Sequence, residues 1–291
     1  MLFFMGQRFA MTFRTVLSAV VLMGLALVAA EPADAQQSRR FSHCIAIADA
    51  APGIEYLHRA AWTDPAPEGA VRIHYVGHSM FLIRTEDGVS IITDYNGNPG
   101  PTGFRPDVVT MNRAHSSHWT DRIEGIPHVL RGWSEDSFGV AADHHLELGE
   151  VLIRNVTSDI RSWGTVEEDA NSIFVFETAN LCIAHLGHLH QELSDAQYAA
   201  LGRVDVLMVP VDGSYTMDLN AMMRVVSRLR SSVVIPMHWF GPSRLEAFLT
   251  GMSDQFLIQR VGGSELTVSL SSLPRQPTVM VLEPRSLSLS D

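Results

Sequence analysis

Histidines follow several apolar, strand-like segments of this chain, and their side chains are the ones best suited to chemistry. His115 and His118 lie three residues apart just after one such segment, and His188 and His238 follow two later ones. Imidazole is the commonest protein ligand for zinc-like metals, and metal sites gather ligands from several strand ends. One His-x-x-His pair is weak support for a metal site, but repeated strand-end histidines predict one.

The residue types limit which metal and which reaction such a site would serve. Three or four neutral imidazoles suit zinc, iron, nickel or copper, and they suit magnesium and calcium poorly. Three histidines with one open position would bind water and lower its pKa, giving a hydroxide for hydrolysis. Asp159 and Asp212 stand at strand ends and are candidates for a ligand, a general base or a group that orients an imidazole. Arg113 is a candidate partner for a substrate anion.

Composition places the chain among ordinary globular proteins and excludes several functions. Its hydrophobic and charged fractions are 46% and 18%, and 291 residues can bury a sizeable core. The net charge of −11 argues against general nucleic-acid binding, which needs a basic surface. All 21 basic residues are arginine, which excludes a lysine Schiff base and a P-loop lysine. A small molecule is therefore the expected partner, and the sequence does not predict the oligomeric state.

The first 35 residues have the pattern of an export signal peptide. Arg8 and Arg14 flank the start of an apolar run over residues 16–30, and a small-x-small cleavage site precedes Gln36. Fifteen apolar residues are short for a membrane span, so cleavage is favoured over an uncleaved anchor. After signal removal no segment is long enough to span a bilayer, and the mature protein is expected in the periplasm or secreted.

The chain has two cysteines, Cys44 and Cys182. Export would permit a disulfide between them, but Cys182 lies in the apolar run 181–184. Buried free thiols are therefore the favoured interpretation, with a disulfide as the alternative. The spacing of the cysteines does not support a cysteine zinc site.

Strand and helix signals predict an α/β protein with a polar lead-in. Residues 36–69 form this lead-in and linker, the main domain spans 70–275, and residues 276–291 form a C-terminal tail. A capping box at Ser194 and the helical spacing of apolar residues over 219–229 predict helices between the later strands. Alternating and apolar runs predict strands over 71–76, 80–83, 89–93, 108–111, 151–156, 172–176, 181–184, 204–211 and 233–237.

The order of these elements resembles the metallo-β-lactamase superfamily over about residues 70–250, and most closely its lactonase-like hydrolases. Residues 71–83, with Gly77-His78-Ser79 inside them, resemble the opening hairpin of that branch. Residues 91–94 resemble the strand whose final aspartate supports the metal loop. Residues 111–118 occupy the place of the His-x-His-x-Asp-His motif. The resemblance implies a four-layer αββα sandwich with the metal site at its strand ends.

The metal-binding motif departs from the family pattern at several positions. Arg113 replaces its first histidine and Ser117 its aspartate, and the strand-end histidine expected near residue 157 is missing. His188 stands where the family has an aspartate that bridges two metals. A carboxylate can bridge two cations, whereas a neutral imidazole ordinarily binds one. One metal per chain, most simply zinc, is therefore predicted.

The resemblance assigns expected roles to the remaining candidates. The predicted metal ligands map to positions that converge in that fold: His115, His118, His188 and His238. Further candidates for ligands or supporting groups are His190, His185, Asp159 and Asp94, and Asp94 is expected mainly to tether the loop that carries His115. The candidates for substrate binding are Arg113 and His78, and those for catalysis are Asp212 and Arg113.

The favoured function is an exported metal-dependent hydrolase that cleaves an ester, lactone or phosphoester of a small molecule through metal-bound hydroxide. The alternative is a protein of the same fold that binds metal or ligand without catalysis. Ser117 supports this alternative because the aspartate it replaces normally orients the nucleophile. A nuclease or phosphodiesterase is the third possibility, and the acidic net charge weakens it.

Overall fold

Fourteen strands form the centre of the protein in the computed structural model, which describes residues 39–46, 62–134, 140–162 and 164–289. The strands are β1 Ala70–Gly77, β2 Met80–Arg84, β3 Ser90–Ile92, β4 Val108–Met111, β5 His128–Arg131, β6 His145–Leu148, β7 Val151–Ser162, β8 Thr165–Thr178, β9 Leu181–His185, β10 Val206–Pro210, β11 Val233–Met237, β12 Leu257–Arg260, β13 Glu265–Ser269 and β14 Thr278–Val281. They form two mixed sheets, ordered β13-β1-β2-β3-β4-β5 and β12-β14-β11-β10-β9-β8-β7-β6.

The described helices are short. They are α1 His43–Ala46, α2 Asp195–Leu201, α3 Leu219–Leu229 and α4 Pro242–Met252, with a 3-10 turn at Leu270–Ser272. The capping box predicted at Ser194 is confirmed, and Asp218 caps α3 by accepting hydrogen bonds from two backbone N–H groups. Within the described residues, no helix combines the length and hydropathy needed to cross a membrane.

Apolar faces of both sheets build the core between them. Ile73 and Phe81 from the first sheet pack with Phe174 and Ile183 from the second. The opposite face of the second sheet packs against helices α2, α3 and α4. The outer face of the first sheet is covered, among the described residues, by loop side chains such as that of Trp62. The predicted α/β sandwich is therefore formed.

The ends of the domain differ from the sequence-based boundaries. Strand β14 pairs with β11 on one side and β12 on the other, so the second sheet continues beyond residue 275 and does not give way to a tail there. The lead-in also contributes packing, since Trp62 is buried and its Nε1 donates to the Ser288 carbonyl at 2.7 Å. The predicted export signal over residues 1–35 lies outside the described residues.

The two cysteines form a disulfide, so the prediction of buried free thiols is wrong. Cys44 lies on helix α1, and Cys182 lies on strand β9 of the second sheet. Their Cα atoms are 5.8 Å apart. The Arg203 backbone N–H donates to the Cys44 carbonyl, and Glu177 accepts from the His43 N–H at 3.0 Å. These contacts hold helix α1 against the second sheet. They join residues far apart in the chain, so a local sequence pattern does not reveal them.

Candidate metal centre

Turns at the ends of neighbouring strands carry the candidate ligands. His78 lies in the turn between β1 and β2, and His115 and His118 lie in the loop that follows β4. His188 follows β9, and His238 follows β11. Because β9, β10 and β11 run parallel, their carboxyl ends open at the same edge of the second sheet. The topology therefore gathers histidines that are far apart in sequence.

These side chains form one cluster of imidazole rings. The ring centroids of the four predicted ligands, His115, His118, His188 and His238, lie between 4.5 and 6.1 Å apart. The His78 ring joins them, with its centroid 4.0 Å from that of His238. The four residues that each place one ligand atom within 4.8 Å of all the others are His78, His115, His118 and His238. His78 thus takes a place in this group that the sequence had given to His188.

His118 and His238 have the donor arrangement of a metal site. Their Nε2 atoms lie 3.2 Å apart. Nδ1 of His118 donates to Asp94 at 2.6 Å, and Nδ1 of His238 lies 3.1 Å from Asp212, within ion-pair distance. Each carboxylate favours the proton on Nδ1, so the two Nε2 lone pairs face each other. Two tetrahedral zinc ligands are separated by roughly 3.3 Å, so this buried pair fits a transition-metal ion.

A chain of hydrogen bonds gives His188 a different tautomer. The Arg161 backbone N–H donates to His190 Nδ1 at 2.9 Å, so neutral His190 carries its proton on Nε2. That proton points to His188 Nδ1 at 2.6 Å, which leaves the His188 proton on Nε2, 3.2 Å from His115 Nε2. His115 Nδ1 in turn donates to Ser117 Oγ at 2.6 Å. His188 is therefore a donor to His115, and ligation through its Nε2 would require that proton to leave.

Three residues of the centre have left-handed backbone conformations that side chains other than glycine rarely adopt. The φ angles are 55° at His78, 42° at Asp94 and 58° at His238. The conformation of His78 is held by its carbonyl, which accepts from Tyr75 Oη at 2.7 Å and from the His238 N–H at 2.9 Å. Such strain persists where the surrounding structure fixes it, and it is concentrated at functional sites.

Asn112 fastens the histidine loop to both sheets. Its amide nitrogen donates to Asp94 at 2.9 Å, and its amide oxygen accepts from the Ser172 N–H on β8 at 2.8 Å. The chain before His188 passes so close that a Cβ at Gly187 would lie 2.4 Å from Asn112 Nδ2, and the φ of Gly187 is +60°. Only glycine allows both the approach and the turn.

Burial lowers the pKa of several imidazoles at this centre. It lowers the pKa of His78 to about 3 and that of His115 to about 4, and neighbouring imidazoles add to both shifts. Burial also lowers the pKa of His190 to about 4, and the Arg161 guanidinium acts in the same direction. The pKa of His188 falls well below its usual range for the same reason of burial among imidazoles. Neutral rings retain the lone pairs that metal binding needs.

The two carboxylates behind the ligands are ionised. Burial acts to raise the pKa of Asp94, but His185 and His118 outweigh it, so this pKa lies below its usual value. Burial likewise acts against ionisation of Asp212, but the His238 imidazole and hydrogen bonds from Thr216 and Ser214 lower its pKa well below the usual range. Asp212 thus lies behind His238 with both oxygens engaged, which does not match the catalytic role predicted from sequence.

Several other sequence candidates lie outside the group of four ligand atoms. His185 Nε2 donates to the Ser79 carbonyl at 2.8 Å, and its Nδ1 accepts from the Gly187 N–H. Asp159 accepts from the Asp169 N–H at 3.0 Å within the β7–β8 hairpin. Both ring nitrogens of His185 are occupied, so its contacts are those of a structural histidine.

Arg113 is directed to the β7–β8 hairpin. Its guanidinium pairs with Glu167 Oε1 at 2.9 Å. The Arg113 guanidinium, which the sequence suggested would bind a substrate anion, is therefore paired with a carboxylate of the protein itself. The cation that sequence reasoning missed is Arg161, which lines an open cavity of about 510 Å³ together with His190, Val166 and Tyr215. Arg161 lies on the part of β7 that was not predicted to be a strand.

Residues 72–238, more than half of the chain, match the family model described as a β-lactamase superfamily domain. The protein belongs to this superfamily. A metal-dependent hydrolase of Salinibacter ruber is 26% identical over 206 residues, which cover 62% of this chain and 90% of that relative. A metal-dependent hydrolase of Nanoarchaeum equitans is 24% identical over 185 residues, or 58% of this chain and 84% of the relative. The family predicted from the sequence is confirmed.

Solved structures agree with this assignment. A Thermotoga maritima protein, described as a Zn-dependent hydrolase of the metallo-β-lactamase superfamily, is 27% identical with a TM-score of 0.55. The match covers 74% of this chain and all of that one. A Parabacteroides distasonis protein is 14% identical, also with a TM-score of 0.55, and covers 74% of this chain and 94% of its own, which shows the fold alone. The metallo-β-lactamase fold class predicted from the sequence is confirmed.

Replacing Asp94 with asparagine is expected to weaken metal binding by about 10- to 100-fold without unfolding the protein. Asparagine tolerates the left-handed backbone at this position, and its oxygen can keep the Asn112 contact. Its NH₂ group would then face His118 Nδ1 and place the His118 proton on Nε2, where it blocks the metal. Competition with a chromogenic chelator measures the affinity, and circular dichroism checks the fold. Wild-type affinity in Asp94→Asn would show that Asp94 does not fix the His118 tautomer.

The chelator-treated protein is expected to lose stability as pH falls below 6.5, and His190 accounts for part of this loss. Its pKa is about 4 in the folded protein and about 6.5 when unfolded, so only the unfolded chain takes up its proton between these values. This contribution is complete above pH 6.5 and decreases as pH falls toward 4. Urea titrations at pH 7.5 and 5.0 measure it. His190→Gln should reduce the pH dependence, and an unchanged slope would contradict the assignment.

Proposed function

We propose that the protein is a metal-dependent hydrolase with a single transition-metal ion, zinc being the simplest choice, and that it cleaves an ester, lactone or phosphoester of a small molecule. The observation that carries this proposal is the His118–His238 pair, whose facing Nε2 atoms are each backed by a buried carboxylate. A bound ion of this kind supplies Lewis acidity and lowers the pKa of water. Membership of the superfamily supports the reaction class.

The ligand set supports one ion per chain. The group of four converging ligand atoms consists of imidazole nitrogens, which bring no negative charge to offset the repulsion between two cations. Asp94 and Asp212 lie behind His118 and His238 and act as positioning residues. We assign His78 and His115 to complete the shell. The Nε2 atom of His115 ligates the ion in place of the hydrogen bond that it accepts from His188 in this structure, so we assign His188 to a position outside the shell. This assignment changes the role that the sequence suggested for His188.

A substrate screen with defined metal content tests the proposal. The purified protein is stripped with chelator, reloaded with zinc, manganese, iron or nickel, and assayed with ester, lactone, phosphodiester and β-lactam substrates. Turnover that chelator abolishes and metal restores is the expected result for at least one class. Stoichiometric metal without turnover of any substrate would instead support a metal-binding protein that has lost hydrolysis. Elemental analysis of the same samples gives the number of ions per chain.

Export is part of the proposal, and it predicts a mature N-terminus at or near Gln36. The arginine-flanked apolar run and the small-x-small site before Gln36 support it. N-terminal sequencing of protein from a periplasmic fraction checks the cleavage site. Exported protein that still begins at Met1 or Met11 would contradict the prediction. A variant with arginine introduced at Leu25, in the middle of the apolar run, should stay uncleaved and is the matched control.

A further inference from the structure

An open cavity adjoins the histidine cluster on the side of the β7–β8 hairpin. It has a volume of about 510 Å³, within the range of sites that hold drug-sized ligands. The residues that line it include Arg161, Val166, His190, Ser214 and Tyr215. His190 connects this cavity to the centre, since its Nε2 contacts His188 at 2.6 Å. The cavity is therefore the space through which a substrate of this centre would extend.

Arg161 is the charged side chain in the described lining, which contains no acidic residue. One guanidinium nitrogen donates to the Thr216 carbonyl at 2.8 Å, and this bond anchors the side chain to the loop after β10. A guanidinium has five N–H donors, so a further edge can pair with a planar anion. The nearby Glu167 carboxylate is paired with Arg113 at 2.9 Å, which reduces its competition for Arg161. The cavity is thus locally cationic in a protein of net charge −11.

Exposed apolar side chains lead from this cavity to the metal-ligand candidates. Tyr215, Phe240 and Val166 are 66%, 61% and 62% exposed, although large apolar side chains of this kind are usually covered. The Tyr215 ring packs edge-on against Phe240 with centroids 5.3 Å apart, and Phe240 lies 5.2 Å from His238. An apolar surface thus runs from His238 to the cavity that Arg161 lines.

We propose that the substrate carries an anionic group of the carboxylate type, separated from the scissile bond by an aryl or acyl group. Arg161 binds the anion, and Tyr215 and Phe240 pack against the apolar part. This assignment rests on the proposed hydrolytic function for the position of the scissile bond, beside His118 and His238. It concerns binding, however, and can be measured without turnover.

Calorimetric binding of 4-phenylbutyrate and the neutral 4-phenylbutyramide to the zinc-loaded protein tests the proposal. The carboxylate is expected to bind about 10- to 100-fold more tightly than the amide, as for a charge-assisted hydrogen-bonded pair. Arg161→Gln should remove most of this preference, and Arg161→Lys should retain part of it. Phe240→Ala should weaken both compounds by a similar factor because it removes the shared apolar contact. Arg260→Gln, which removes an equal charge from a surface ion pair with Glu246, is the matched control and should change neither.

A second variant guards against misfolding of Arg161→Gln. Val166→Glu places a carboxylate on an exposed position of the cavity wall, so it should lower the affinity for 4-phenylbutyrate much more than for the amide. Equal affinities of the two compounds in the wild type, or no binding of either, would overturn the proposal. So would a carboxylate preference that survives in Arg161→Gln and disappears after chelation, because the metal would then hold the anion. Failure of the hydrolase assays alone would leave these binding results unchanged, so the two proposals fail separately.

Discussion

Replacing His118 or His238 with alanine is expected to reduce the bound metal from one ion per chain to a small residual fraction, and hydrolysis to background. Both imidazoles are fully buried. Asp94 and Asp212 favour the proton on Nδ1 of His118 and His238, so the Nε2 lone pair of each ring faces the other ring. Loss of a ligand costs more than the 10- to 100-fold change in affinity that is typical when a supporting group is lost. Elemental analysis after dialysis against a fixed free zinc concentration measures the effect.

The controls distinguish ligands from other histidines. His145→Ala removes an imidazole that contacts Glu147 on strand β6, so the metal content should not change. His188→Ala should leave about one ion per chain, because the proton on its Nε2 keeps His188 out of the ligand set. Complete loss of metal in His188→Ala would mean that His188 is a ligand. In that case His190 Nδ1 would no longer accept from the Arg161 N–H, and the tautomer of His188 would differ from the one assigned above. Full metal retention in His118→Ala would refute the proposed centre.

The strand ends that carry candidate histidines could be located from the sequence because the strands before them are buried on both sides. β9, β10 and β11 are continuous apolar runs, and each ends at the edge where the cluster forms. A strand end followed by histidine is therefore visible without a structure. The order of these segments also carried the family resemblance, which the family model and the solved relatives confirm.

The outer part of the β7–β8 hairpin was not predicted because the residues that β8 contributes to it have no buried apolar pattern. The first five residues of β8 are largely exposed and the remaining nine are buried, so only the inner part has an apolar pattern. The partner of Arg113 and the cation of the cavity, Glu167 and Arg161, both lie on this outer part. The sequence therefore suggested Arg113 as the residue that binds an anion, whereas we propose Arg161 for this role.

The roles of individual imidazoles depend on contacts that no spacing rule contains. His78 joins the cluster because a left-handed turn after β1 directs it there. His188 and His118 both follow apolar strands, yet Nδ1 of His188 accepts a hydrogen bond from His190, whereas Nδ1 of His118 donates one to Asp94. These opposite tautomers follow from backbone and carboxylate partners that the fold brings together from distant parts of the chain.

Reduction of the Cys44–Cys182 disulfide is expected to lower the free energy of unfolding by about 2–5 kcal/mol. The bond closes a loop between residues 138 positions apart, and the chain-entropy model gives about 5 kcal/mol for loops of this size. For a domain of this length the loss corresponds to a fall in Tm of roughly 5–20 °C. Differential scanning calorimetry with and without a thiol reductant measures it, and the Cys44→Ala/Cys182→Ala variant should match the reduced protein and not respond to reductant.

Reduction of the disulfide is also expected to affect the buried carboxylate of Glu177. Glu177 accepts from Ser42 and from the His43 N–H next to Cys44, and it also pairs with Arg154 at 2.7 Å. If the segment around Cys44 detaches, Glu177 loses two of these donors while it remains inside the protein, which adds an electrostatic cost to the lost entropy term. Glu177→Gln in the reduced protein should therefore be less destabilising than in the oxidised one. A Tm that does not respond to reductant would show that the disulfide and this contact contribute nothing to stability.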